Sequence, residues 1–332
     1  MYKTHRILPS IIDGFFLMRP VILIPVWGFA LFGFYKGRNG SIADLPQLWR
    51  HTTSTPFLWI LIFSISVGSV YVLNQIADIE VDKKNGGLPL LASGILSIRY
   101  SWVIAIMTAI FSIAIPACFG KLTITLLSLA TIIVGIFYSF RPMFFSGRIF
   151  LDFFTNALGF GIIAFGAGWS LAGREFFPFS LFVKAALPYF LLMCAGSISS
   201  TIPDISGDRE GHKFTTAVVL GEQKAHLVAF LFVAAASIDA VMVNDVIASI
   251  CAIAALPFYF LHSLWPKQVF AEATYKVGGA LCMIAAGCIT PLFFPCALAV
   301  FLLTWMYFRF RHGVIYPSLT PAPNAAPSTG KK

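Results

Sequence analysis

Leu73-Asn74-Gln75-Ile76-Ala77-Asp78-Ile79-Glu80-Val81-Asp82 closes the apolar run 57–76. Asn74, Asp78 and Asp82 recur at every fourth position. On an α-helix a step of four drifts by ~40° and rises by ~6 Å, so the three side chains stack along one face. Glu80 points about 160° away from that column and reads as a surface group. Two carboxylates at i and i+4 repel one another. A column of oxygen ligands at a membrane boundary is costly unless it binds something. A solvated helix end carrying chance acids is the plainer alternative. A hard divalent cation removes both costs, and Mg²⁺ characteristically takes one or two carboxylates together with phosphate oxygens.

The rest of the chain supports a membrane setting. Of 332 residues, 58% are hydrophobic and only 11% charged, where soluble domains carry about 25%. The mean hydropathy is +0.84. Apolar segments run over about 15–34, 57–76, 100–119, 122–140, 150–171, 181–201, 225–243, 246–264, 274–290 and 292–310. Each is long enough to span a bilayer and none alternates with period two, so helices are expected rather than a barrel. The first segment is too long for a signal peptide and lacks a small-x-small cleavage site. The six cysteines (118, 194, 251, 282, 288, 296) lie in apolar runs without metal-like pairing and read as small core residues.

A net charge of +9 raises the question of nucleic acid. Its distribution argues against that partner. With the N-terminus placed in the cytoplasm and alternating loops, the outer side receives Lys36, Arg38, Arg50, Lys121, Arg174 and Lys184, and the inner side the other 17 of 23 basic residues. That asymmetry orients the protein, and attraction to anionic lipid accounts for most of the positive charge. The longest outer loop is 36–56. The Pro- and Ala-rich stretch from 313 to 332 reads as a disordered tail after a membrane domain covering 1–312.

A second acid cluster follows the sixth segment: Thr201-Ile202-Pro203-Asp204-Ile205-Ser206-Gly207-Asp208-Arg209-Glu210. Asp204 and Asp208 repeat the spacing of Asp78 and Asp82, 126 residues further on, and Ser200 takes the place of Asn74. The two clusters make a weak internal repeat, two half-sites on one membrane side that could face one cavity. A diphosphate held by metal also wants direct cations. Lys83, Lys84, Arg141, Arg148, Arg209 and Lys213 are placed for it, though each alone also serves as a topology charge. Some of the 34 Phe residues could line a cavity for an isoprenoid chain or shield a carbocation. Asp239, an acid in the seventh segment, is expected near the outer interface beside Asn244 and Asp245. His212 is the only histidine inside an acid cluster.

At these residues the chain resembles the UbiA superfamily of intramembrane prenyltransferases, over nearly its whole length. Asn74-x3-Asp78-x3-Asp82 is similar to that family's first Asp-rich motif and Asp204-x3-Asp208 to its second. Tyr138-Ser139-x-Arg141 is similar to the signature between them. The first motif with Leu88-Pro89-Leu90-Leu91-Ala92-Ser93-Gly94, and Ile202-Pro203-Asp204-Ile205-x-Gly207-Asp208, look most like the homogentisate prenyltransferase branch. Asn85-Gly86-Gly87, Ser200-Thr201 and Ser206 depart from its usual residues.

The resemblance implies an all-α membrane protein, a bundle of nine or ten transmembrane helices around a central cavity. It implies Mg²⁺ as cofactor, held by Asn74, Asp78, Asp82, Asp204 and Asp208, the four Asp being catalytic. Diphosphate contacts would fall on Asn74, Lys83, Tyr138, Ser139, Arg141, Arg148, Arg209 and Lys213. The expected activity is transfer of a prenyl group from a polyprenyl diphosphate to a lipophilic acceptor, an aromatic quinone precursor, in a multi-pass protein of the cell's inner or plasma membrane. Prenylation of a chlorophyll-type or glycerophosphate lipid is the alternative within the same chemistry. A transporter with a carboxylate-lined pathway is the alternative of another class, but transporters place their charges near the midplane rather than at helix ends.

Overall fold

The structure, a computed structural model, describes residues 11–38, 40, 54–85, 88–265 and 267–317. Most of the expected outer loop 36–56 and the stretch 318–332 lie outside the described residues. Ten helices among those described are long and apolar enough to cross a membrane. A short α1 (Ile11–Leu17) precedes α2 (Pro20–Gly37), the first span. The second is α3 (Ser54–Ala77), continued by α4 (Ile79–Asn85) and the turn of helix α5 (Pro89–Ala92). The third and fourth are α6 (Ile98–Cys118) and α7 (Leu122–Ser139). The fifth joins α8 (Leu151–Ala157), a π-helical run Leu158–Ala164 and α9 (Phe165–Leu171). The sixth is α10 (Phe179–Thr201), followed by α11 (Ile205–Glu210) and α12 (Thr216–Leu220). Spans seven to ten are α13 (Glu222–Met242), α14 (Val246–Leu264), α15 (Gln268–Ile289) and α16 (Phe293–Tyr307).

These segments are helical because hydrocarbon offers backbone groups no partner, and the helix satisfies them internally. The first span is the hub. Of its apolar window 78% is buried, against 22% for the third and tenth, which face outward. It packs on the second, fifth, ninth and tenth spans. The α2–α9 crossing is made by glycine. A Cβ on Gly33 would strike the Phe165 carbonyl, and one on Gly168 the Ala30 carbonyl, so only the bare backbone allows this approach. Cys118 and Cys288 are exposed on the outer surface rather than in the core, while Cys194 and Cys251 are buried.

Residues 274–310 form two spans broken at Thr290–Leu292, not one span with a partial hairpin. Ten crossings return the chain to the side on which it began. Arg311 just beyond α16 grips Asp13 of α1, Nε to Oδ1 at 2.7 Å and Nη2 to Oδ2 at 2.8 Å, and the Tyr307 hydroxyl donates to the same carboxylate at 2.7 Å. Beyond this grip, the Val314 N–H returns to the Phe308 carbonyl and Tyr316 packs edge-on against Phe308. At the opposite end of the bundle the buried acid is Asp245, not Asp239. It caps α14 through the Ala248 N–H, accepts from the Tyr189 hydroxyl and pairs with Lys36 at 3.3 Å.

Candidate active site

The first acid column survives a break in the helix. α3 ends at Ala77 and Asp78 occupies a turn, yet Asp78 N–H still reaches the Asn74 carbonyl (2.9 Å) and Asp82 N–H the Asp78 carbonyl (2.8 Å). Asn74, Asp78 and Asp82 therefore keep helical register. Asn74 Nδ2 donates to Asp78 Oδ2 at 2.9 Å. The same oxygen accepts Lys213 Nζ at 2.6 Å, with both side chains nearly enclosed.

Lys213 comes from the loop that follows the second acid cluster, so this ion pair joins the two. Its own N–H is held by the Asp208 carbonyl at 2.8 Å. Val81 on α4 sits against Gly211, where an added Cβ would lie 2.7 Å from its methyl. Burial first, then the Asp78 carboxylate, push the Asp82 carboxyl from its ordinary 3.8 up to about 6; Arg19 and Lys213 pull against the rise and Asp208 adds to it. Asp82 thus feels charges from both clusters. Asp78 and Asp208 are buried, Asp82 is half-buried and Asp204 is exposed.

A third strand of chain fixes the Lys213 loop. The Phe214 N–H bonds the Gly147 carbonyl (3.1 Å) and the Phe150 N–H bonds Thr216 Oγ1 (2.8 Å). Buried Asp152 accepts both the Thr216 N–H (2.8 Å) and its hydroxyl (2.6 Å). Asp152 carried no signal in the sequence because its partner lies 64 residues away.

The expected basic set divides by placement. Lys213 enters the site. Lys83 is exposed and pairs with Glu80 at 2.7 Å. Arg141 is exposed and lies over the Phe144 ring at 5.7 Å. Arg148 is exposed and donates to the Pro142 carbonyl at 2.6 Å. Arg209 is exposed, and Ser139 is buried with its hydroxyl unpartnered among the described residues. Ser200, the counterpart of Asn74, turns its hydroxyl to the Ser197 carbonyl of its own helix.

A cavity adjoins the first acid column at Asn74, walled by the first, second, fourth and fifth spans. Arg19, Asn74, Tyr138 and Asn156 form its polar end, while Val26, Val67, Phe160 and Ile163 line its depth. Arg19 was legible in the sequence only as a topology charge. It occupies the left-handed junction between α1 and α2, at φ 55°. Its Nε is buried with no partner among the described residues. A cationic donor so placed is aimed at an anion.

The oxygen-only donor set suits Mg²⁺. Among the described residues no three His, Cys, Asp or Glu are placed to hold one ion together. This fits a metal that takes one or two carboxylates and completes its shell with water and substrate phosphate. The Lys213 ammonium on Asp78 stands where such positive charge would be wanted.

The model of the UbiA prenyltransferase family matches residues 26–274. The chain belongs to that family. It is an integral, multi-pass membrane protein with the all-helical UbiA fold. It is similar to a UbiA homolog from Archaeoglobus fulgidus solved with GPP and Mg²⁺, at TM-score 0.61 and 21% identity over 87% of this chain and 99% of that one. Among curated proteins it is 29% identical to "Probable homogentisate phytyltransferase 2, chloroplastic" of Oryza sativa subsp. japonica, over 55% of this chain and 52% of the relative. It is 31% identical to the digeranylgeranylglyceryl phosphate synthase of Sulfolobus acidocaldarius, over 56% of this chain and 64% of the relative. The chain thus spans about half to two thirds of the length of these relatives.

Proposed function

We propose that this protein transfers a prenyl group from a polyprenyl diphosphate to a lipophilic aromatic acceptor, with Mg²⁺ as cofactor. The observation that carries the reading is the Asp78–Lys213 pair: it joins the two acid clusters, and Asn74, which donates to the same Asp78 oxygen, lines the polar end of an otherwise apolar cavity. The A. fulgidus homolog's bound GPP and Mg²⁺ and the rice relative's name support it.

Asn74, Asp78 and Asp82 of the first cluster and Asp204 and Asp208 of the second are the residues that would hold metal, each cluster offering an ion one or two carboxylates. Bound there, magnesium neutralises the charge that builds on the diphosphate as the allylic C–O bond breaks. Lys213 and Arg19 supply direct positive charge to the diphosphate. Tyr138 accepts a hydrogen bond from Asn156 at 3.3 Å, which leaves its own O–H to donate. Arg141, Arg148, Arg209 and Lys83 are exposed, so the weight of diphosphate binding falls on Arg19 and Lys213. The apolar walls take the isoprenoid chain and keep water from the allylic cation. The basic residues cluster at the motif-bearing end, so that end is cytoplasmic; the inner or plasma membrane is the proposed location.

A glycerophosphate acceptor is the second reading, favoured by the name of the S. acidocaldarius relative. The decisive experiment incubates membranes carrying the protein with labelled prenyl diphosphates, a phenolic acceptor and a glycerophosphate acceptor, with and without EDTA. A prenylated phenol that vanishes with EDTA is expected. Prenylation of the glycerophosphate alone moves the protein to the second reading, and no cleavage of any prenyl diphosphate sinks both.

A further inference from the structure

Asn156 is an amide set in the wall of the cavity, one turn inside the fifth span. Its Nδ2 donates to the Tyr138 hydroxyl at 3.3 Å and to Ser197 Oγ at 3.0 Å. Those two bonds use both amide hydrogens. The carbonyl oxygen has no donor among the described residues and belongs to a side chain that lines the cavity. With both amide hydrogens used, this oxygen of a half-buried side chain is the acceptor the wall offers to a ligand's donor.

There is also room beside it. Gly159 lines the same cavity three residues on, and a Cβ built there meets nothing within 4 Å. The π-helical run Leu158–Ala164 begins directly after Ala157, and such insertions recur where a helix serves a site. Phe160, Ile163 and Val134 surround this space with apolar surface. A diphosphate does not belong here, because a carbonyl oxygen repels it and Arg19 and Lys213 draw it toward the acids.

We propose that Asn156 is a specificity-determining residue that accepts a hydrogen bond from a hydroxyl on the aromatic acceptor, whose ring occupies the space beside Gly159. The inference rests on the prenyl-transfer reading and deepens it. A hydroxyl-bearing ring satisfies the amide oxygen and the apolar wall together. A second phosphate headgroup would set its negative charge against the amide oxygen.

The test compares a hydroquinone with its methyl ether as acceptors, using purified protein in lipid nanodiscs. Asn156→Leu keeps the branched side-chain shape and removes the acceptor oxygen together with the amide donors to Tyr138 and Ser197. It should raise KM for the hydroquinone at least tenfold, move KM for the prenyl diphosphate less than twofold, and abolish the preference for hydroxyl over methyl ether. Tyr138→Phe separates a direct role from one acting through the tyrosine: it should weaken the prenyl diphosphate instead and leave the hydroxyl preference intact. An unchanged preference in Asn156→Leu overturns the proposal, as does its loss in Tyr138→Phe. A wild type that cleaves prenyl diphosphate while showing no hydroxyl preference overturns this inference alone. A wild type that cleaves none overturns the prenyl-transfer reading with it.

Discussion

Lys213 Nζ lies 2.6 Å from Asp78 Oδ2, an ion pair that closes 135 residues of chain with both partners nearly enclosed. Breaking a buried pair from one side leaves the other charge without compensation, at a cost of about 3 kcal/mol. Lys213→Met should destabilise the Mg²⁺-free protein by that order. Mg²⁺ with pyrophosphate should recover much of the loss by supplying the missing positive charge. Thermal unfolding in detergent, with and without these ligands, reads both effects; equal destabilisation in both conditions would argue against metal at Asp78.

Asp78 and Asp204 should separate stability from activity. Asp78 is buried on Lys213, whereas Asp204 is exposed. Either Ala variant should lower prenyl-transfer kcat at least 100-fold, about 2.7 kcal/mol of barrier. Only Asp78→Ala should also lower the unfolding temperature. Turnover of Asp204→Ala within threefold of wild type would remove the second cluster from the metal site.

Arg19 and the two exposed arginines of the loop after the fourth span make opposite expectations. Arg19→Leu removes a cation whose Nε is buried in the site and should weaken prenyl diphosphate binding by about 1.5–3 kcal/mol, the worth of a charge-assisted contact. Arg141→Ala and Arg148→Ala should change it less than threefold. Isothermal titration with a non-hydrolysable prenyl diphosphate analogue decides, and the reverse ranking would return the diphosphate to the loop after the fourth span.

The Asp82 carboxyl, raised to about 6 in the folded protein, should leave a pH signature. Its ordinary value is 3.8, so between these values the folded state holds a proton that the unfolded state has released. This contribution to stability is full below pH 4 and is lost as the pH rises through 6. Metal-free wild type should lose stability across that window relative to Asp82→Asn, which cannot titrate. Parallel stability profiles for the two would contradict the shift.

Asp13 and Arg311 differ in exposure, and their variants should differ accordingly. Asp13 is 1% exposed, while the Arg311 side chain is 30% exposed. Arg311→Ala strands a buried carboxylate and should cost about 3 kcal/mol. Asp13→Asn leaves an arginine that water can reach and should cost less. The double variant should be more stable than Arg311→Ala alone, as judged by unfolding in detergent.

Much of this protein was legible because its signals are local. The spans follow from runs of apolar residues, and the i, i+4 spacing of Asn74, Asp78 and Asp82 fixes a shared helix face whatever surrounds it. The count of ten spans was harder, since Pro291 and Pro295 permit either a full turn-around or a partial hairpin; Arg311 meeting Asp13 agrees with ten. The basic residues were least legible. Arg141 sits beside a signature motif and yet stacks over Phe144, while Arg19 looked like any charge flanking a membrane helix.

By itself the sequence determined the helical membrane class, the two acid clusters and the family, because each depends on composition or on local spacing. Only the tertiary structure decided which cation reaches Asp78, that Arg19 and Asn156 border the same cavity, and that Asp152 secures the Lys213 loop. Those relations join positions 41 to 135 residues apart or bring separate spans together. They arise from how the ten spans pack together, and no local pattern records that.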